Sequence, residues 1–175
     1  MKATGIMRRI DELGRIVIPK EIRKGLRIKE GENLEIYVEN ETIVLKKYSA
    51  LKSLTDMATI YAEVVNSLIK ENIIITDTDT VIAASGKYKK KLLNKDISEE
   101  LLSSIQRREN ILEKHKKTLK ITNEEFDVTY SMHTIIVDGD VVGLVLIFSE
   151  DNQIDEQIDE TCLLAANFLA KYLED

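Results

Sequence analysis

Short apolar runs broken by charge occupy the first 50 residues. "TGIMRRI" and "RIVI" are β-type runs separated by "DELG", where Asp11 and Gly14 supply turn chemistry. Pro19 ends the second run, because it has no N–H for a strand ladder yet fits the first position of a helix. "KEIRKGL" predicts about two helical turns with Ile22 and Leu26 on one face at i, i+4, which turns Arg23 and Lys24 away toward solvent or a ligand. In "NLEIYV", Leu34, Ile36 and Val38 alternate onto one side, and "TIVLKKY" pairs with it across "ENE" as a hairpin.

From Ala50 the rhythm changes. Leu51, Leu54, Ala58, Tyr61, Val65 and Leu68 recur at 3, 4, 3, 4, 3, which predicts an amphipathic helix over 51–70, packed in a bundle or shared between subunits. Two strands follow, "NIIIT" and "VIAAS", divided by the polar turn "DTDT". A lysine-rich loop, "GKYKKKLLNKDIS", then leads to a helix from about Glu99 with Ser98 as its N-cap. After a charged linker, "DVTYSMHTIIVDGDVVGLVLIFS" predicts two strands around Asp138–Gly139, a strong hairpin signal. The last helix, over 154–173, carries the apolar stripe Ile154, Ile158, Cys162, Ala165, Ala166, Leu169 and Leu173.

These elements predict an α+β chain of two domains, 1–50 and 51–175, with helices 51–70 and 154–173 flanking the second domain's sheet. Four short strands and one stub of helix bury too little apolar surface to stand alone. Oligomerisation is the remedy open to a chain without disulfides or a metal, so the first segment is predicted to be an obligate dimer. No apolar run approaches the roughly 18 residues that a membrane helix needs, and no signal peptide is legible at the start. A lone cysteine, Cys162, excludes an internal disulfide and fits a reducing, cytoplasmic setting.

Charge changes this picture, because it is unevenly spread. The net charge is −6, yet residues 1–29 hold nine Lys or Arg against three acids, a local +6. Residues 30–50 are at −3 and residues 51–175 at −9. A basic head on an acidic body points to anion recognition at one end. The candidates are Arg8, Arg9, Arg15, Lys20, Arg23 and Lys24, since phosphate needs cations and guanidinium matches it with a planar fork of donors.

Other chemistry is thin. "GKYKKK" lacks the upstream glycine and the Ser/Thr of a phosphate loop, so Lys87, Lys89, Lys90 and Lys91 read as a solvated loop, with an anion site at a pocket mouth as the minority reading. His115 reads as exposed and His133 as a hydrogen-bonded strand residue, leaving no set of metal ligands. Cys162 sits on an apolar stripe, where a buried inert thiol is the default. No enzyme signal survives.

The stretch "TGIMRRIDELGRIVIPKEIRKGLRIKEGENLEIYVENETIVLKKY" resembles the swapped-hairpin DNA-binding domain of AbrB-type bacterial transition-state regulators, with "DELGRIVIPKEIR" and "LEIYV…IVLKKY" specific to that family. The whole chain, through "LLNKDIS" and "AANFLAKYLE", is similar to sporulation regulators that join this domain to a C-terminal GAF-type sensor domain. The resemblance implies an N-terminal β-barrel dimer of interlocked hairpins, a homotetramer assembled through the helices flanking the GAF domains, and double-stranded DNA as partner. It implies an activator and repressor of sporulation genes, cytoplasmic and nucleoid-associated, with no cofactor, whose GAF-like domain either senses an unidentified small-molecule effector or serves as an assembly platform. The family's DNA-contacting positions fall on Arg8, Arg15, Arg23 and Lys24. Lys24 is often Arg in relatives, and Lys20 adds a cation where some relatives are apolar. Three rivals remain. Antitoxins share the swapped hairpin but carry a disordered tail, GAF-like sulfoxide reductases need several cysteines, and an oligomeric scaffold would not bind DNA.

Overall fold

A two-stranded hairpin and a separate five-stranded antiparallel sheet organise the chain in the computed structural model, which describes residues 5–49 and 51–174. Thr4, at the head of the first β-type run, and Ala50, where the sequence rhythm changes, lie outside the described residues. The chain divides into two compact units, Met1–Tyr48 and Ser49–Asp175.

In the first unit, α1 spans Lys20–Gly25, β1 Leu34–Glu39 and β2 Thr42–Lys47. The strands pair antiparallel from Leu34↔Lys47 to Glu39↔Thr42. The turn needs positive φ at both central residues, and Asn40 and Glu41 take 46° and 60°. Pro19 precedes α1 at its N-cap, one residue earlier than predicted, and its carbonyl accepts from Arg23 N–H at 3.0 Å. The runs "TGIMRRI" and "RIVI" do not form strands over their described residues. The turn between them does close: Gly14 N–H donates to the Asp11 carbonyl at 2.9 Å and Asp11 N–H to the Arg15 carbonyl at 3.1 Å. A strand needs a ladder neighbour, and the described part of this chain offers these runs none. Their apolar side chains stay uncovered too, since between residues 5 and 48 only Pro19 is buried.

The second unit is built around its own core. A 3-10 turn, Leu51–Leu54, leads into α2, Thr55–Ile69, which Lys70 ends in the left-handed region. β3 (Asn72–Thr76) and β4 (Val81–Ser85) come next, then α3 (Lys89–Leu92) and α4 (Glu99–Arg107). β5 (Ile111–Lys120), β6 (Glu125–Val137), β7 (Asp140–Ser149) and α5 (Glu156–Glu174) complete it. The sheet order is β4-β3-β7-β6-β5, and every pairing is antiparallel. One face packs under α2 and α5 through Ala58, Ala62, Ile73, Ile75, Val145, Ala165 and Leu169; the other packs under α3 and α4 through Ile74, Leu92, Leu101, Ile105, Leu146 and Phe148. Gly143 admits the chain crossing at β3, because a Cβ there would stand 1.9 Å from the Thr76 carbonyl oxygen.

Two predicted loops are ordered elements. The "charged linker" contains β5, an edge strand whose lysines mask its alternation while discouraging further strand pairing. The lysine-rich loop contains the one-turn helix α3. Ser98 caps α4 as predicted, accepting from Leu101 N–H at 3.1 Å.

Candidate nucleic-acid interface

The six candidate cations all lie in the first unit, on three kinds of backbone. Arg8 and Arg9 sit on the extended segment before the turn, Arg15 closes the turn, and Lys20, Arg23 and Lys24 ride on α1. Arg8, Arg9, Arg15, Lys20 and Lys24 are exposed, whereas Arg23 is half-buried rather than turned fully outward as its helical position suggested. Its helix is too short and too uncovered for a clean division of faces: Ile22 is half-buried and Leu26 is 56% exposed.

Arg15 is held in place by its own turn. Its Nε lies 2.7 Å from Asp11 Oδ2, and its N–H donates to Asp11 Oδ1 at 2.8 Å. Leu13 N–H donates to the same Oδ1 at 3.0 Å. Asp11 therefore organises the turn and orients the guanidinium at once. The Arg15 N–H, followed by the Arg15 side chain and Leu13 N–H, holds the Asp11 carboxyl below its ordinary range. Sequence reading took Asp11 for turn chemistry alone; the signal of its second role was the Asp-to-Arg spacing of four across Gly14. Arg8 donates only to the adjacent Met7 carbonyl, at 3.1 Å. Arg9, Lys20, Arg23 and Lys24 form no ion pair with a described residue. They differ in this from Lys47, which pairs with Glu32 at 3.0 Å, and Lys46, which stands over the Tyr37 ring.

In the second unit, the basic and nucleophilic candidates are occupied. Lys87 pairs with Glu150 at 2.8 Å, and Tyr88 donates to the same carboxylate. Glu150 and the Tyr88 hydroxyl raise the Lys87 pKa, so its charge is fixed internally. Lys89 pairs with Glu63 at 2.8 Å and Lys91 with Glu124 at 3.8 Å. The predicted solvated loop is thus a paired helical turn, with Lys90 left exposed. His115 is exposed on β5, whereas His133 is buried on β6 with Nε2 2.8 Å from Asp159 Oδ1, which also accepts from Ser131 Oγ at 2.7 Å. Cys162 is fully buried, and burial pushes its thiol up to about 12.

Known proteins match the chain in two stretches. Residues 53–174 match the family described as "Stage V sporulation protein T C-terminal, transcription factor". Residues 7–52 match the family described as "Antidote-toxin recognition MazE, bacterial antitoxin". Stage V sporulation protein T of Bacillus subtilis (strain 168) is 44% identical over 177 residues, covering 99% of each chain. Transition state regulatory protein AbrB of the same organism is 62% identical over 48 residues, which is 27% of this chain and 50% of AbrB. The GAF domain of Thermosynechococcus elongatus PixJ, in its blue-light absorbing form, superposes with a TM-score of 0.55 at 14% identity, covering 73% of this chain and 89% of that one. That last likeness establishes the fold of the second unit alone.

Proposed function

The chain belongs to the stage V sporulation protein T family of transcription factors, and from that membership we propose a division of labour between its two units. It is a DNA-binding transcriptional regulator of sporulation, with an AbrB-type domain at the N-terminus and a GAF-like domain after it. In our reading, Arg8, Arg15, Arg23 and Lys24 grip the phosphates of double-stranded DNA, with Arg9 and Lys20 in support. The observation that carries this reading is a set of cations, all but Arg15 without an ion pair to a described residue, on a unit at net +3 joined to one at net −9. Duplex DNA repels the second unit and draws the first, so charge alone orients the encounter.

The first unit works as a dimer of interlocked hairpins. Ile36, Val38 and Ile43 are 67%, 77% and 67% exposed on the hairpin, and Ile16 and Val17 are 53% and 72% exposed in the ladderless run. A second copy is what supplies both the missing strand neighbours and the missing apolar cover. Tetramer assembly then uses the second unit's helices: Ile60, Val64 and Leu68 at i, i+4, i+8 on α2, beside Leu164 and Phe168 on α5, leave an uncovered apolar face around the Tyr61–Phe168 stack. The GAF-like unit serves as an effector sensor, and the protein works in the cytoplasm on the nucleoid.

Fluorescence anisotropy with duplex DNA tests the reading. Alanine at Arg8, Arg15, Arg23 and Lys24 together should weaken binding by about 100-fold or more, since each charge-assisted contact is worth about 1.5–3 kcal/mol. Unchanged affinity would overturn it. The antitoxin reading draws on the match over residues 7–52. Against it stands the C-terminal half, a packed sheet with helices on both faces and not a disordered tail.

A further inference from the structure

Between α4, β5 and β6 lies a cavity of about 410 Å³, within the range of small-molecule sites. Its floor is apolar and fixed, for Leu119 and Met132 are 2% and 1% exposed and belong to the core under α4. Tyr130 lines the same cavity at 3% exposure, and its hydroxyl has no hydrogen-bond partner among the described residues. The hydroxyl is not a buried orphan, so it stays reachable as a donor that no described residue uses. Burial first, then the carboxylates of Glu113, Glu100 and Glu109, raise its pKa, so it stays a neutral phenol able to donate.

The rim is charged in both senses. Arg107 and Lys117 stand on it with Glu100 and Glu109. Lys117 lies just past an irregularity, where four steps along β5, from Glu113 to Lys117, match only two along β6, from Tyr130 to Val128. Two residues before buried Leu119, it belongs to the same facing series. Lys117 has no ion pair with a described residue, and Arg107 meets Glu109 only at 3.5 Å, with 71% of its side chain exposed. Glu100 Oε2 accepts from Lys120 N–H at 3.0 Å, which anchors that carboxylate to the strand.

We infer that this cavity binds a small zwitterion with an apolar group, of the free amino-acid type. Arg107 and Lys117 hold its carboxylate, Glu100 and Glu109 its ammonium, and the apolar group lies on Leu119 and Met132, with the Tyr130 hydroxyl supplying a directional hydrogen bond. A rim carrying both signs favours a ligand that carries both, because a singly charged one meets like charge at one of the two pairs. The inference deepens the sensor reading of the GAF-like unit and rests on it.

The test is calorimetric titration of the full chain with each apolar L-amino acid, and with the amine-only and carboxylate-only analogue of each. At least one amino acid should bind saturably at one site per chain, with its single-charge analogues about tenfold weaker or more. Arg107→Gln and Tyr130→Phe should each weaken binding by about tenfold while the melting temperature holds. If Tyr130→Phe melts early, exposed Arg107 decides the question alone. Saturable binding by none of these amino acids, analogues that bind equally, or an Arg107→Gln variant with full affinity would each overturn the inference. DNA affinity measured on the same samples separates the two claims. DNA binding without amino-acid binding sinks this inference and leaves the regulator standing; amino-acid binding without DNA binding does the reverse.

Discussion

The two units solve the burial problem in opposite ways. The second closes its core within one chain, with helices over both faces of a five-stranded sheet. The first leaves Ile10, Val17, Ile36, Val38 and Ile43 each more than 60% exposed and buries only Pro19 among its described residues. Their charges are opposed as well, +3 against −9. On the dimer reading, a unit that cannot finish its own core takes a second copy, which doubles every cation it carries. What looks like a stability defect in one chain is then tied to the proposed grip on DNA.

The sharpest way to break this contrast is Ile36→Asp. At 67% exposure in the single chain, such a change costs within about 0.5 kcal/mol if the residue is truly a surface one. Burial in a dimer core makes it cost about 2–3 kcal/mol or more and abolishes DNA binding, as urea melts and sedimentation will read out. Gly143→Ala probes the other unit. Its Cβ would meet the Thr76 carbonyl at 1.9 Å, so the second unit should lose about 1–3 kcal/mol in thermal melts.

Smaller effects sharpen the contrast further. Arg15→Ala should weaken DNA binding by about tenfold with the circular dichroism melt nearly unchanged. A collapsed fold would make the Asp11–Arg15 clasp structural rather than functional. In an NMR titration, the Asp11 carboxyl should show its midpoint below 3.8, and Arg15→Ala should move that midpoint up. The sign follows from the bonds: a carboxyl depressed in the native state favours folding above its unfolded value and loses that contribution as pH falls through the native one. Because Asp11 is solvent-exposed, the effect on stability stays small. Cys162 should resist alkylation at pH 8 until the second unit unfolds, since its buried thiol is pushed up to about 12.

How legible this was depends on where each element finds its partner. The hairpin of β1 and β2, the Asp138–Gly139 turn and the Ser98 cap were readable because their partners lie nearby in sequence. β5 was not, for an edge strand with Lys114, Lys116, Lys117 and Lys120 shows no clean alternation. The runs around "RIVI" carry real β propensity, but propensity without a neighbouring strand makes no ladder, and the described part of one chain contains none. Among the site residues, the basic cluster was visible as local charge, whereas Asp11's hold on Arg15 and the half-burial of Arg23 depend on the closed turn and on what covers α1. The cavity beside Tyr130 was invisible for a similar reason: α4, β5 and β6 line it together, and no motif marks where they meet.

The central claim is that the basic first unit holds duplex DNA by its phosphates. Anisotropy titrations across a range of salt concentrations test it most directly. A dimer neutralising about six to eight phosphates predicts log affinity falling against log salt with a slope of about −5 to −7. A flat dependence would contradict it.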